Sequence, residues 1–312
     1  EVLGVPIVTK VLDVDSAMVM DRNTLAEVVG QIVADCDTAE KYLPIQFTGT
    51  DKIIGAQHYG APTQYACMAL KAKVLLLQVS PAFNLSNDIN LWRNAAIQAV
   101  TTLYSIEGAL NTEPLPDRNF FEPENYDVIW RSAYANNASR ENNNFPPSLY
   151  GRGYTNPSQN LVDAFFMSNG YPITDSRSGY SEANPYMGRG QRFGNAILYN
   201  QSIFKNTNIE TFQGGKDSRE KYLTGTRTGY YLRKHMAENV DLYPVTKNSQ
   251  SNFRILLSLT DLYLNYAEAM NEFGGPDNMS LGYSPKMALT KIRKRAGFTL
   301  DPYLDEVASS GK

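Results

Sequence analysis

Leu259-Thr260-Asp261-Leu262-Tyr263-Leu264-Asn265-Tyr266-Ala267-Glu268-Ala269-Met270-Asn271-Glu272 lies inside a longer run with apolar residues at helical spacing, predicting a helix over 256–273. Gly274-Gly275-Pro276 closes it, because glycine takes the backbone conformation that ends a helix and proline cannot continue one. A second helix is expected over 285–296, ending at Gly297. Ala267, Ala269, Ala288 and Ala296 are small enough to let the two helices approach closely.

The same period recurs towards the other end of the chain. Leu25, Val28, Ile32, Cys36, Ala39 and Leu43 share one face of a helix expected over 22–43, stopped by Leu43-Pro44. Pro62 suits the first turn of a helix over 62–79. Ala66, Leu70, Val74 and Leu77 form one of its stripes and Ala69, Ala72 and Leu76 another, so it packs on two sides. After Ser80-Pro81 a helix over 91–104 carries Trp92, Ala95, Ala96, Ala99, Val100 and Leu103. Helix pairs with small residues at their crossings are how tetratricopeptide-like repeats bury a shared face, although no regular 34-residue period is present. The expected fold is therefore mainly α, with irregular helical repeats over 1–104 and 254–312. Between them, 105–253 reads as a loop-rich region with short strands near 127–130 and 195–199, the three parts forming one continuous domain.

Composition narrows the function. Of 312 residues, 29 are Lys or Arg and 32 are Asp or Glu, so a net charge of −3 provides no electrostatic footprint for a nucleic acid. The most apolar run, 74–79, is far shorter than the roughly 20 residues needed to span a bilayer. Cys36 and Cys67 fall on apolar helical faces, which favours buried free thiols over a disulfide. His58 and His235 stand far apart without partners at helical spacing, too few for a zinc site. Asp13-x-Asp15 is too short for a calcium loop, and nucleophile-elbow, phosphate-loop and zincin motifs are absent. Glu122, Glu124 and Asp127 could include a glycosidase acid pair, but clustered acids before a strand read as solvated loop charges. The reading is thus of a non-enzyme with no catalytic residue, metal or cofactor.

Long loops in a domain usually carry function, which directs attention to 105–253. With 20 Tyr and 13 Phe against 2 Trp, the chain is rich in flat rings with polar edges. Residues 140–154 gather Arg140, Asn142, Asn143, Asn144, Phe145, Tyr150, Arg152 and Tyr154 around Pro146-Pro147, Gly151 and Gly153. Such rings stack on the C–H face of a sugar or on a peptide side chain, while amide and guanidinium groups bond its edges. A merely solvated Asn-rich loop is the plainer reading of the same residues. A second aromatic loop, 171–186, contains Tyr180 and Tyr186. Trp130, in an apolar strand-like run, and Trp92, on a helix, both read as core.

Several segments, in order, resemble the SusD/RagB family. They are Gly4-Val5-Pro6-Ile7-Val8-Thr9 with Arg22 and Ala39-Glu40-Lys41-Tyr42-Leu43-Pro44, and Gly60-Ala61-Pro62-Thr63 through Ala69-Leu70-Lys71-Ala72 to Ser80-Pro81-Ala82-Phe83-Asn84. Next come Leu161-Val162-Asp163-Ala164-Phe165 with Met167, and Asn184-Pro185-Tyr186-Met187-Gly188-Arg189 with Arg192-Phe193, where Gly190 and Gln191 replace the family's Asp-Pro. The 259–272 segment followed by Ile292-Arg293-Lys294-Arg295-Ala296-Gly297 is the strongest match. The resemblance implies a cell-surface lipoprotein of Bacteroidetes-type bacteria on the extracellular face of the outer membrane. It would capture oligosaccharide and deliver it to a SusC-like TonB-dependent transporter; a peptide-binding RagB-like subunit and a non-binding helical scaffold are the alternatives. It also implies a longer protein, with a lipidated cysteine and further helices ahead of this chain and an Arg- and Glu-rich segment after it. Asn143, Phe145, Tyr150, Arg152, Tyr154, Tyr180 and Tyr186 are the expected ligand-binding residues. Glu268 and Arg293 match family positions and read as structural, Glu268 pairing with Arg293 or Arg295.

Overall fold

The computed structural model describes residues 4–115, 125–132, 135–243 and 245–311. Among them the helices are α1 (Val14–Met18), α2 (Leu25–Tyr42), α3 (Gln64–Val79), α4 (Ile89–Glu107), α5 (Ser139–Asn144), α6 (Gln159–Asp163), α7 (Gln191–Ala196), α8 (Leu259–Gly274), α9 (Pro285–Arg295) and α10 (Pro302–Ser309). The strands are β1 (Val128–Arg131), β2 (Ala135–Asn137), β3 (Ile197–Leu198), β4 (Ile203–Phe204), β5 (Thr207–Asn208), β6 (Tyr231–Leu232), β7 (Gln250–Asn252) and β8 (Ile255–Ser258). The mainly α expectation holds. None of the described helices is long and apolar enough to cross a membrane.

The long helices start where side chains satisfy their first N–H groups. Thr24 and Glu27 form a reciprocal capping box on α2, and the side chains of Thr63, Asp88 and Ser284 cap α3, α4 and α9. α3 accordingly begins after Thr63 and not at Pro62. α8 begins at Leu259, because Ser258 is extended and pairs with Val128 while its hydroxyl accepts from Asp261 N. The stretch 256–258, expected as helix, is therefore strand.

Helices α3, α4, α8 and α9 share one core. Ala95, Ala96 and Ala99 of α4, Ala267 and Ala269 of α8 and Ala288 of α9 are buried in it together with Trp92, Leu103, Leu259, Tyr263 and Tyr266. Fully burying a side chain such as Leu103 or Leu259 contributes about 2 kcal/mol. The buried tyrosines keep their hydroxyls bonded: Tyr263 donates to Glu107, Tyr266 to Tyr283 O, and Tyr283 to Asn111 O at 2.5 Å. Burial raises all three phenol pKa values well above the ordinary one.

Four two-stranded antiparallel ladders organise the loop-rich region. β1 pairs with β8 and β2 with β7, tying the start of that region to the strands that lead into α8. β3 pairs with β6 and β4 with β5. The expected strand near 195–199 is confined to Ile197–Leu198, because Asn195 and Ala196 finish α7. The region has cores of its own: Phe145, Leu198, Phe204 and Tyr231 in one cluster, Val162, Phe193 and Tyr230 in another.

Several sequence-based expectations change. Asp127 is fully buried; its carboxylate accepts from Thr260 N at 2.9 Å and Thr260 Oγ1 at 2.6 Å and lies 3.6 Å from Arg295. It therefore holds the start of α8 and is no solvated loop acid, while Glu122 and Glu124 lie outside the described residues. Arg293 pairs with Asp301 and Arg295 with Asp127, leaving Glu268 exposed on the outer face of α8. The expected Glu268 pairing is thus replaced by acids that reach the guanidinium groups from elsewhere in the chain. Cys36 and Cys67 are free and buried, and burial raises both thiol pKa values. Trp92 is core, whereas Trp130 is half-buried and donates from Nε1 to Gly60 O at 3.0 Å.

Candidate ligand-binding site

The site builds on α5 and the turn that follows it. Pro146 and Pro147 end α5 and start a 3-10 turn over Pro147–Leu149, after which Tyr150 takes a left-handed conformation with φ of 66°. The chain then folds back on α5: Arg152 N donates to Asn142 O at 2.9 Å, Gly153 N to Phe145 O at 3.1 Å and Tyr154 N to Asn143 O at 2.9 Å. Glycine is required twice. A Cβ at Gly151 would lie 2.2 Å from Phe145 O, and one at Gly153, where φ is 57°, would lie 2.7 Å from the Tyr231 ring.

Buried polar groups brace this turn from below. Asp217, wholly buried, accepts from Ser148 N and Glu210 N through its two oxygens, each at 3.0 Å. Tyr231 donates to Asp217 O at 2.6 Å and accepts from Thr226 N at 2.9 Å. Burial raises the Tyr231 pKa, so the hydroxyl keeps its proton at neutral pH. A surface supported in this way is largely pre-formed, which lowers the ordering cost of binding.

On that support the structure brings Asn143, Tyr150, Arg152 and Tyr154 together as exposed side chains. Tyr150 is 58% exposed and stacks on Tyr243, itself 56% exposed, with ring centroids 4.3 Å apart. The Arg152 guanidinium sits 5.7 Å from the ring centroid of Tyr154, which is 61% exposed. Phe145 differs from the expectation: at 1% exposure it is core, edge-on against Phe204 at 5.4 Å. It follows α5 on the inward side of the turn, beneath the exposed side chains.

Tyr180 and Tyr186 belong to a neighbouring aromatic group and are half-buried. Tyr186 lies 4.3 Å from Tyr199 and 6.3 Å from Tyr230, ring to ring, and burial pushes its phenol pKa up. Tyr180 lies 5.8 Å from the guanidinium of Arg189, which donates to the carbonyls of Val162, Phe165 and Pro185. The group adjoins the Tyr150 turn through the consecutive residues Tyr230 and Tyr231.

Tyr243 is the residue of this exposed face that sequence reasoning missed. It lies in an irregular stretch, and no local pattern announces its approach to Tyr150. A second aromatic cavity of about 250 Å³, lined by Phe47, Tyr59, Tyr65, Tyr126 and Trp130, lies on the side of the helical core. Among the described residues, no cluster of His, Cys, Asp and Glu side chains could hold a metal ion.

A model of the SusD family matches residues 119–306. A SusD-like carbohydrate-binding protein from Bacteroides fragilis is similar at 20% identity and a TM-score of 0.71, over 98% of this chain and 58% of that one. A second SusD-like protein from Bacteroides fragilis is 23% identical, with a TM-score of 0.69 over 98% and 60% of the respective chains. A structure described as with xylogluco-oligosaccharide has a TM-score of 0.59 at 15% identity, over 94% of this chain and 54% of that one. This chain therefore spans about three fifths of the length of the first two. No curated protein matches. With the family's pattern matched over more than half its length and helices α3, α4, α8 and α9 packed around one core, the chain belongs to the SusD family.

Proposed function

We propose that the protein captures oligosaccharide at the cell surface and passes it to a SusC-like TonB-dependent transporter in the outer membrane. The observation that carries this reading is the exposed Tyr150–Tyr243 stack, flanked by Arg152, Tyr154 and Asn143 on a braced turn. Aromatic faces receive the apolar side of a sugar ring, and the guanidinium and amide groups bond its hydroxyls. Likeness in fold to a SusD-like carbohydrate-binding protein supports the same reading. The role is affinity without bond making, so no residue acts as nucleophile or general acid. The protein would sit on the extracellular face of the outer membrane, held by a lipid anchor.

A calorimetric and affinity-gel screen against plant, fungal and host-mucin glycans and a peptide pool tests the proposal, with product analysis on the same samples. Saturable glycan binding without new products is the expected result. Binding confined to peptides would move the reading to a peptide-capturing subunit, and binding to nothing would favour a helical scaffold. Release of shorter sugars would make the protein an enzyme.

A further inference from the structure

A cationic cavity is lined in part from α5, the helix that leads into the Tyr150 turn. Arg140, one turn before Asn143 on α5, lines a space of about 420 Å³ together with Lys234, His235, Phe253, Arg254 and Asp261. Three basic side chains and an imidazole thus line it with one carboxylate, in a chain whose formal net charge is −3.

The groups come from anchored backbone. Arg254 N donates to Ser132 Oγ at 2.9 Å, and Arg254 O accepts from Ser132 N at 2.8 Å. Lys234 and His235 occupy a turn closed by Met236 N donating to Arg233 O, with His235 in the left-handed region at φ of 69°.

Arg140 is incompletely satisfied. Its Nη2 donates to Phe253 O at 3.3 Å, while Nη1 is buried and has no hydrogen-bond partner. Neither Arg140 nor Arg254 has a carboxylate partner among the described residues. Guanidinium stays charged at every physiological pH, so the Arg140 charge persists with the Phe253 carbonyl, and no carboxylate, as its acceptor among the described residues. A carboxylate matches the guanidinium fork, and both Arg140 and Arg254 line this concave, partly enclosed site.

We propose that this cavity is an anion subsite taking the carboxylate of a uronic acid residue, so that the captured oligosaccharide is an acidic one. The proposal rests on the glycan-binding reading above and specifies its substrate class. Arg140 stands one helical turn before Asn143 on α5, so the cavity and the Tyr150 face are built on the same short helix and the turn that follows it.

Calorimetry with uronic-acid oligosaccharides, and with the same oligosaccharides after reduction of their carboxyl groups, tests this on the unmodified protein. The acidic form is expected to bind at least about tenfold more tightly, as a charge-assisted hydrogen bond implies, and to weaken as salt is added. Arg140→Met and Arg254→Met, checked for an unchanged melting temperature, should each shrink the difference between the two forms. Equal affinity for acidic and reduced forms overturns the subsite and leaves glycan capture standing. So does a preference that survives both substitutions. Binding of polyglutamate as tight as that of the acidic sugar overturns it in favour of an acidic peptide. If no glycan of either kind binds, the underlying glycan reading fails along with it.

Discussion

Tyr150 and Tyr243, from distant parts of the chain, stack in solvent with their planes 15° from parallel. Each ring shields part of the other, and the pair presents an aromatic ledge beside Arg152 and Tyr154. Tyr150 reaches this place because the prolines ahead of it set the turn and its left-handed backbone reverses the chain.

Removing either ring should weaken glycan binding with little effect on the fold. Tyr150→Ala and Tyr243→Ala are each expected to lower affinity about tenfold, since a stacked ring contributes on the order of 1 kcal/mol beyond its buried area. Melting temperatures should stay near that of the parent, as exposed substitutions cost within about 0.5 kcal/mol. Parent-like calorimetry for both variants would remove this face as the site.

Phe145 and Tyr154 separate support from contact. Phe145→Ala empties a core position and should cost about 3 to 5 kcal/mol in urea unfolding. Tyr154→Ala should leave the unfolding midpoint nearly unchanged while lowering affinity. A stable, binding-competent Phe145→Ala variant would contradict the burial described here.

Glu107 and Lys291 form a buried ion pair at 3.4 Å, with Tyr263 also donating to the carboxylate. Lys291→Met leaves that charge without its cation and should cost about 3 to 5 kcal/mol. Replacing both with apolar residues should recover part of the loss, because two desolvation penalties then disappear. Thermal melts of the two single variants and the double variant measure the coupling, and additive losses would show that the pair does not act together.

Asp175 accepts from Arg177 Nε at 2.9 Å and Nη2 at 2.8 Å, while Arg177 Nη1 reaches Glu306 on α10 at 2.6 Å. These bonds lower the Asp175 pKa from 3.8 to about 2. Because the folded value lies below the unfolded one, the contribution is fully present above the ordinary value of 3.8 and is lost as pH falls through about 2. An NMR titration of the Asp175 carboxyl should place its midpoint near the lower value. A midpoint at the ordinary value would mean that Arg177 does not hold the Asp175 carboxylate in solution.

Legibility followed the range of the signal. The paired helices around Trp92, Leu103, Tyr263 and Ala288 were readable because helical period and breakers act within a few residues. The short helices α5, α6 and α7 were not, since five or six residues hold less than two turns of pattern. Helix α10, eight residues long, was also missed. The segment 140–154 was marked by composition, but composition does not separate Phe145, which turns inward, from Tyr150, which turns out.

The sequence by itself determined a mainly α chain with paired helices near both ends, an irregular middle rich in rings and amides, and the pattern of its family. Tertiary structure alone decided that Tyr243 meets Tyr150, that Asp127 starts α8 and that Arg293 takes Asp301 in place of Glu268. The physical reason is that periodicity and turn chemistry are properties of neighbouring residues. Burial, ion pairing and stacking depend on which distant segments the folded backbone brings within a few ångströms.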